Sequence, residues 1–190
     1  MSTKRNISII GGAGHVGFPL GIIFSSKGYN VSLIDKNNEN IQKINKGIPP
    51  FLEEGSKKLL KRMIRLKRIV ATNKIQALKK SKYIIICIGT PINEKLNPEI
   101  KSFLNFFKNL KKHINKNQIV IIRSSVYPGI CDKVYNIIKN YNKNLSYCPE
   151  RIVQGKSIKE LPDISQLVSG KNKKSIKESS LLFKKICKKI

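Results

Sequence analysis

The chain has 190 residues, enough for one ordinary domain with a modest extension and too few for two full domains. Apolar residues make up 40% and charged residues 26%, which excludes wholesale disorder, and no apolar run reaches the roughly 18 residues of a membrane-spanning helix. Net charge is +27, yet arginine occurs only at Arg5, Arg62, Arg65, Arg68, Arg123 and Arg151, and the lysines are scattered among isoleucines and asparagines. That mixture reads as compositional bias, because surfaces that read bases or clamp phosphates favour arginine. The expectation is a cytoplasmic protein with no membrane segment and no specific nucleic-acid partner. Cys87, Cys131, Cys148 and Cys187 form no C-x-x-C pair, so neither a metal site nor a disulfide framework is expected.

Short apolar runs alternate with amphipathic stretches, the pattern of a parallel sheet covered by helices. The first predicted strand is Ile7–Ile10, followed by glycines, a helix from about His15 to Lys27 closed by Gly28, and a strand Val31–Ile34 ending at Asp35. Asn37 and Asn38 cap a helix running toward Asn45. Gly47-Ile48-Pro49-Pro50 breaks the chain before a helix predicted from Leu52 to Leu66, and a short strand follows at Arg68–Ala71. Lys82–Ile88 is the strongest strand; its unbroken core Tyr83–Ile86 marks burial on both faces and a central place. Asn97-Pro98-Glu99 reads as a helix start, with Phe103, Phe106, Phe107 and Leu110 on one inward face. Then come a strand Gln118–Ile122, a helix Cys131–Lys139 and a strand Leu145–Cys148. Pro149–Pro162 is irregular, Gln166–Ser169 is a further short strand, and a final helix from Ser175 turns Leu181, Leu182 and Ile186 inward.

Gly12-Ala13-Gly14-His15-Val16-Gly17 is a G-x-G-x-x-G between a predicted strand and a predicted helix. In that setting Gly12 permits the tight turn, Gly14 admits a pyrophosphate to the backbone, and Gly17 lets helix and strand pack closely. The helix's free N–H groups and positive dipole end then favour the diphosphate. Asp35, at the end of the second strand, is placed to accept hydrogen bonds from a ribose and to repel a 2′-phosphate. The fold class this defines is α/β, a Rossmann-like doubly wound, mostly parallel sheet with helices on both faces, one dinucleotide-binding domain over residues 1–190.

Four separated blocks, GAGHVGFPLG at Gly12–Gly21, CIGTPINEKLNP at Cys87–Pro98, RSSVYPG at Arg123–Gly129 and YCPERIVQG at Tyr147–Gly155, resemble in order the UDP-glucose/GDP-mannose dehydrogenase family. The last block, continued through Lys156–Leu161 and Gln166–Gly170, looks most like the branch acting on UDP-N-acetylhexosamines. The resemblance implies NAD as cofactor and oxidation of a UDP-sugar's C6 alcohol, through an aldehyde, to a uronate. It places the cofactor loop on Gly12, Gly14, His15, Val16 and Gly17, the ribose acid on Asp35, and further cofactor contacts on Thr90 and Ser125. It gives Glu150 the task of orienting or activating the water that hydrolyses a thioester, and Ser125 that of holding water or substrate. The same resemblance implies that Arg151 and Lys156 face the nucleotide-sugar.

The family's thiol nucleophile lies in a later domain and has no counterpart among these residues, so the resemblance implies a split gene product partnered by a separately encoded carboxyl-terminal half, a fragment, or a relic. The competing reading is a non-catalytic NAD-binding module or a relic, and for Glu150 an exposed acid paired with a lysine. The oligomeric state is left open.

Overall fold

The computed structural model describes residues 5–89, 100–151 and 154–190. Its frame is β1 (Asn6–Ile10), α1 (Gly17–Ser26), β2 (Asn30–Ile34), α2 (Asn38–Asn45), α3 (Ser56–Arg65), β3 (Ile69–Thr72), a 3₁₀ turn at Ile75–Lys80 and β4 (Tyr83–Ile86). The second half adds α4 (Ile100–Leu110), β5 (Ile119–Ile122), α5 (Ile130–Ile138), β6 (Leu145–Tyr147), α6 (Ser157–Glu160), β7 (Ser169–Gly170) and α7 (Lys173–Phe183). The sheet runs β3-β2-β1-β4-β5-β6-β7, parallel except for β7, which pairs antiparallel with β6. The order reverses direction between β1 and β4, and open sheets of this kind take their ligands outside the strands' carboxyl ends at that switch point.

β4 occupies the middle of the sheet, as its apolar run requires. Tyr83 and Ile85 pack with α1, α3 and α7 on one face, and Ile84 and Ile86 with α4 and α5 on the other. β5 repeats the division, Ile119 and Ile121 against Val120 and Ile122. Each such side chain, fully buried, contributes about 1.5–3 kcal/mol relative to exposure. Helix α1 is buried from Gly17 to Ser25, between the sheet and the outer helices. Among the described residues no helix is long and apolar enough to cross a membrane.

Several boundaries differ from the sequence reading for local reasons. Helix α1 starts at Gly17 instead of His15, because the glycine loop uses His15 and Val16 to reach it. Helix α3 starts at Ser56 instead of Leu52. Gly55 is left-handed at φ 78°, and the preceding Glu54 donates its N–H to Gly155 O at 3.0 Å, so residues 52–55 serve a loop. The irregular stretch contains the single turn α6. The last strand shrinks to Ser169–Gly170, and α7 begins at Lys173 behind a capping box in which Asn172 and Ser175 exchange hydrogen bonds. Leu182 and Ile186 are buried, but Leu181 is 48% exposed. On α4, Phe103, Phe107 and Leu110 are buried while Phe106 is half-buried. The helix start at Asn97-Pro98-Glu99 lies outside the described residues.

Candidate functional site

The chain leaves β1 at Ile10 and turns across the end of β2, where the N–H groups of Gly11 and Gly12 both donate to Ile34 O, at 2.9 and 3.1 Å. The left-handed turn residue is Gly11 (φ 76°), which corrects the assignment of the turn to Gly12. A Cβ on Gly11 would stand 2.4 Å from Cys87 O. Gly12 is required by packing, since a Cβ there would meet Leu33 Cα and Ile9 O, each at 2.7 Å. Gly17 seats the start of α1 on the loop, and a Cβ would come within 2.3 Å of Gly11 O. Gly14 differs. Its nearest neighbour would be Gly11 O at 3.4 Å, and it lines the open cleft beside the loop. No side chain caps α1, and although Phe18 N–H already donates to Gly14 O at 3.0 Å and Pro19 has no N–H, the positive dipole end of the helix still favours an anion at the loop. Ring-to-ring contact of His15 with Phe51, centroids 3.9 Å apart, holds the loop's outer side.

Asp35 clasps the loop from below. Its Oδ2 accepts the Ala13 N–H at 2.9 Å and its Oδ1 the Asn37 N–H at 3.1 Å. The carboxylate is thereby fixed on the wall of a cleft of about 920 Å³ lined by Gly11, Gly14, Asp35, Cys87, Gly89 and Phe106 among others. Each oxygen keeps a second lone pair, so the clasp is compatible with accepting ribose hydroxyls. The cleft, open over Gly14, fits a dinucleotide. Thr90 lies outside the described residues.

Preference for NAD over NADP by roughly tenfold or more is expected in calorimetric titration, because a 2′-phosphate would be set against the Asp35 carboxylate. Asp35→Ser should narrow the margin and weaken NAD as well, since Ala13 loses its acceptor. Equal affinities in the unaltered chain would remove Asp35 from the ribose site.

At the carboxyl ends of β5 and β6 stands a second cluster. Arg123, 1% exposed, donates from Nε (3.1 Å) and Nη2 (2.8 Å) to Glu150 Oε2. Its Nη1 donates to Cys148 O at 3.1 Å, Pro149 O at 3.2 Å and Gln166 Oε1, and its guanidinium lies 5.2 Å from the Phe183 ring centroid. Glu150 Oε1 accepts the Arg151 N–H at 2.8 Å, and Glu150 N–H donates to Arg123 O at 3.1 Å. The acid is therefore largely buried rather than exposed, and it is ion-paired with a buried arginine that the sequence reading passed over. The missed signal was an arginine closing the all-apolar run Ile119–Ile122, which burial obliges to find an acid. Ser124 Oγ donates to Ile88 O at 2.6 Å and ties this cluster to the end of β4, while the neighbouring Ser125 is exposed. Ile88, whose carbonyl takes the Ser124 hydroxyl, lines the cofactor cleft together with Cys87, so the two clusters adjoin.

Arg151 is exposed, with Nη1 3.4 Å from Ser165 O. Lys156 stands on a segment fastened to the 52–55 loop by Ile158 N–H to Glu53 Oε1 (3.1 Å) and by Lys159–Glu54 (2.7 Å).

Burial pushes the thiols of Cys87 and Cys148 up to about 12 and that of Cys187 to about 11, and also raises Cys131. Cys148 is fully buried, and that burial holds its thiol in the protonated form near neutral pH. In the folded chain a disulfide reagent should label Cys131 first and Cys148 only on unfolding. Rapid labelling of Cys148 at neutral pH would contradict this.

The sheet order, the glycine turn, the Asp35 clasp and the cleft at the switch point define a dinucleotide-binding domain of the doubly wound α/β class. Residues 5–187 match the model of the UDP-glucose/GDP-mannose dehydrogenase family, NAD binding domain, and the chain belongs to that family. It is 28% identical over 184 residues to UDP-N-acetyl-D-mannosamine dehydrogenase of Pyrococcus horikoshii, covering 93% of this chain and 44% of that protein. It is 32% identical to UDP-glucose 6-dehydrogenase of Rickettsia prowazekii, covering 95% and 42%. The solved structure of the Pyrococcus horikoshii UDP-D-ManNAc dehydrogenase superposes with a TM-score of 0.87 at 27% identity, over 97% of this chain and 45% of that one. A ternary complex of GDP-mannose dehydrogenase from Pseudomonas aeruginosa, 21% identical and covering 95% and 44%, shares the fold with a TM-score of 0.85. The chain thus spans less than half the length of these relatives. The cofactor of this domain is NAD.

Proposed function

We propose that these residues are the cofactor half of a cytoplasmic nucleotide-sugar 6-dehydrogenase that converts the C6 alcohol of a UDP-sugar, a UDP-N-acetylhexosamine by the pattern of its last block, to the uronate. The observation that carries the reading is the contiguity of the two clusters. The glycine loop and Asp35 clasp stand at the carboxyl ends of β1 and β2, and Glu150 stands two strands beyond β4 on the same rim of the sheet. Bound NAD supplies the hydride acceptor. Gly12, Gly14, His15, Val16 and Gly17 cradle the diphosphate, Asp35 holds the ribose, and Thr90 and Ser125 complete the cofactor contacts. Ser125 and Glu150 orient substrate or water, and Arg151 and Lys156 meet the nucleotide. The remaining half, bearing the thiol and the sugar-nucleotide grip, is the partner.

The test is calorimetric titration with NAD, followed by assay of NADH formation from UDP-sugars after a relative's carboxyl-terminal half is supplied. Absence of NAD binding would overturn the reading. NAD binding with no turnover in the reconstituted complex would favour a non-catalytic module.

A further inference from the structure

We infer that Arg123 is a positioning residue, a guanidinium built into the core to hold the Glu150 carboxylate in one orientation at the rim of the cofactor cleft. The inference rests on the proposed site only in the use it gives Glu150.

The geometry is that of a device for fixing a side chain. Among the described residues Arg123 is the largest of the fully buried side chains, and it closes the apolar strand β5. A buried cation needs a compensating charge, and a guanidinium's N–H groups need acceptors in its plane. Glu150 Oε2 provides the charge and takes two of the N–H groups, while Cys148 O, Pro149 O and Gln166 Oε1 take Nη1. Those carbonyls are the peptide units immediately before Glu150, so one guanidinium grips both the carboxylate and the backbone that carries it. Glu150 Oε1 is fixed separately by the Arg151 N–H. From the opposite side Gln166 is itself anchored, donating from Nε2 to Pro149 O (3.3 Å) and Leu167 O (2.8 Å). The ring of Phe183 covers the guanidinium. With both carboxylate oxygens assigned, the side chain has one rotamer open to it.

A lysine would keep the charge and lose the fork, because its ammonium cannot reach Glu150, Cys148 O and Gln166 from one planar frame. This separates positioning from charge compensation, and NMR of the full 190-residue chain reads it directly. In the unaltered protein a scalar coupling across the hydrogen bond from Arg123 Nε to the Glu150 carboxyl carbon is expected, with three-bond couplings of a single Glu150 rotamer. In Arg123→Lys, with helix content retained, those couplings should average to two or more rotamers. In Arg123→Ala, added guanidinium should restore the single-rotamer pattern. A Glu150 that keeps its rotamer in folded Arg123→Lys, or that averages in the unaltered chain, would overturn the inference. Should the variants not fold, the unaltered chain decides alone, by presence or absence of the coupling. Failure of NAD to bind would overturn the proposed function and leave this result standing.

Discussion

Gly17→Val is expected to cut stability and Gly14→Val to cut only cofactor binding, although both lie in one six-residue motif. At Gly17 the new Cβ would sit 2.3 Å from Gly11 O and 2.8 Å from Gly12 Cα, all backbone and unable to swing aside. Overpacking of this kind costs about 3 kcal/mol or more, which for a domain of this size lowers Tm by roughly 10 °C. At Gly14 the protein offers room, with nothing closer than 3.4 Å, and the valine methyls project where the diphosphate must approach the loop. Thermal denaturation should therefore be near that of the unaltered chain, while NAD affinity falls about 100-fold or more. Retained affinity in Gly14→Val would make the loop an ordinary turn. An unchanged Tm in Gly17→Val would mean that α1 can shift off the loop.

These 190 residues alone should bind NAD and form no detectable uronate from any UDP-sugar, which is the second large effect. Conversion of an alcohol to an acid needs two hydride transfers, and the aldehyde between them must be held by a nucleophile. None of the four thiols serves, since burial raises every one and Cys148, beside Glu150, is sealed. The first oxidation also fails, because without a grip on the nucleotide the alcohol is not held against the cofactor, and effective molarities of up to roughly 10⁵–10⁸ M are forgone. Supplying the thiol-bearing half of a relative should bring NADH formation to two equivalents per sugar. Uronate from the isolated chain would return attention to Cys148.

The sheet was legible in the sequence because its strands are buried on both faces and so appear as unbroken runs, as at Tyr83–Ile86 and Ile119–Ile122. The glycine loop was legible by its spacing. Which glycine serves which purpose was not, because the clash at Gly12 is with Leu33 and that at Gly11 with Cys87, neighbours that only folding brings close. Asp35 was placed on the cleft, but its hold on the Ala13 amide depends on a contact across 22 positions that no local pattern records. The Arg123–Glu150 pair spans 27 positions and two strands. Each residue looked ordinary in its own segment, an arginine in a lysine-rich chain and an acid after a proline, and only the parallel register of β5 and β6 makes them partners.

The two ends of the sheet also bear on how the protein behaves when crowded. An open sheet exposes an unpaired rim on each side, and a long, flat, apolar rim invites a neighbouring molecule to add a strand and start a fibre. Here one end closes on β7, two residues long and reversed in direction. The other is β3, four residues long, where the half-exposed Val70 is hemmed by Lys67, Arg68 and Lys74. A second copy approaching that rim would bring its own three cations against these, so charge at this rim disfavours the addition of a strand from another copy of the domain.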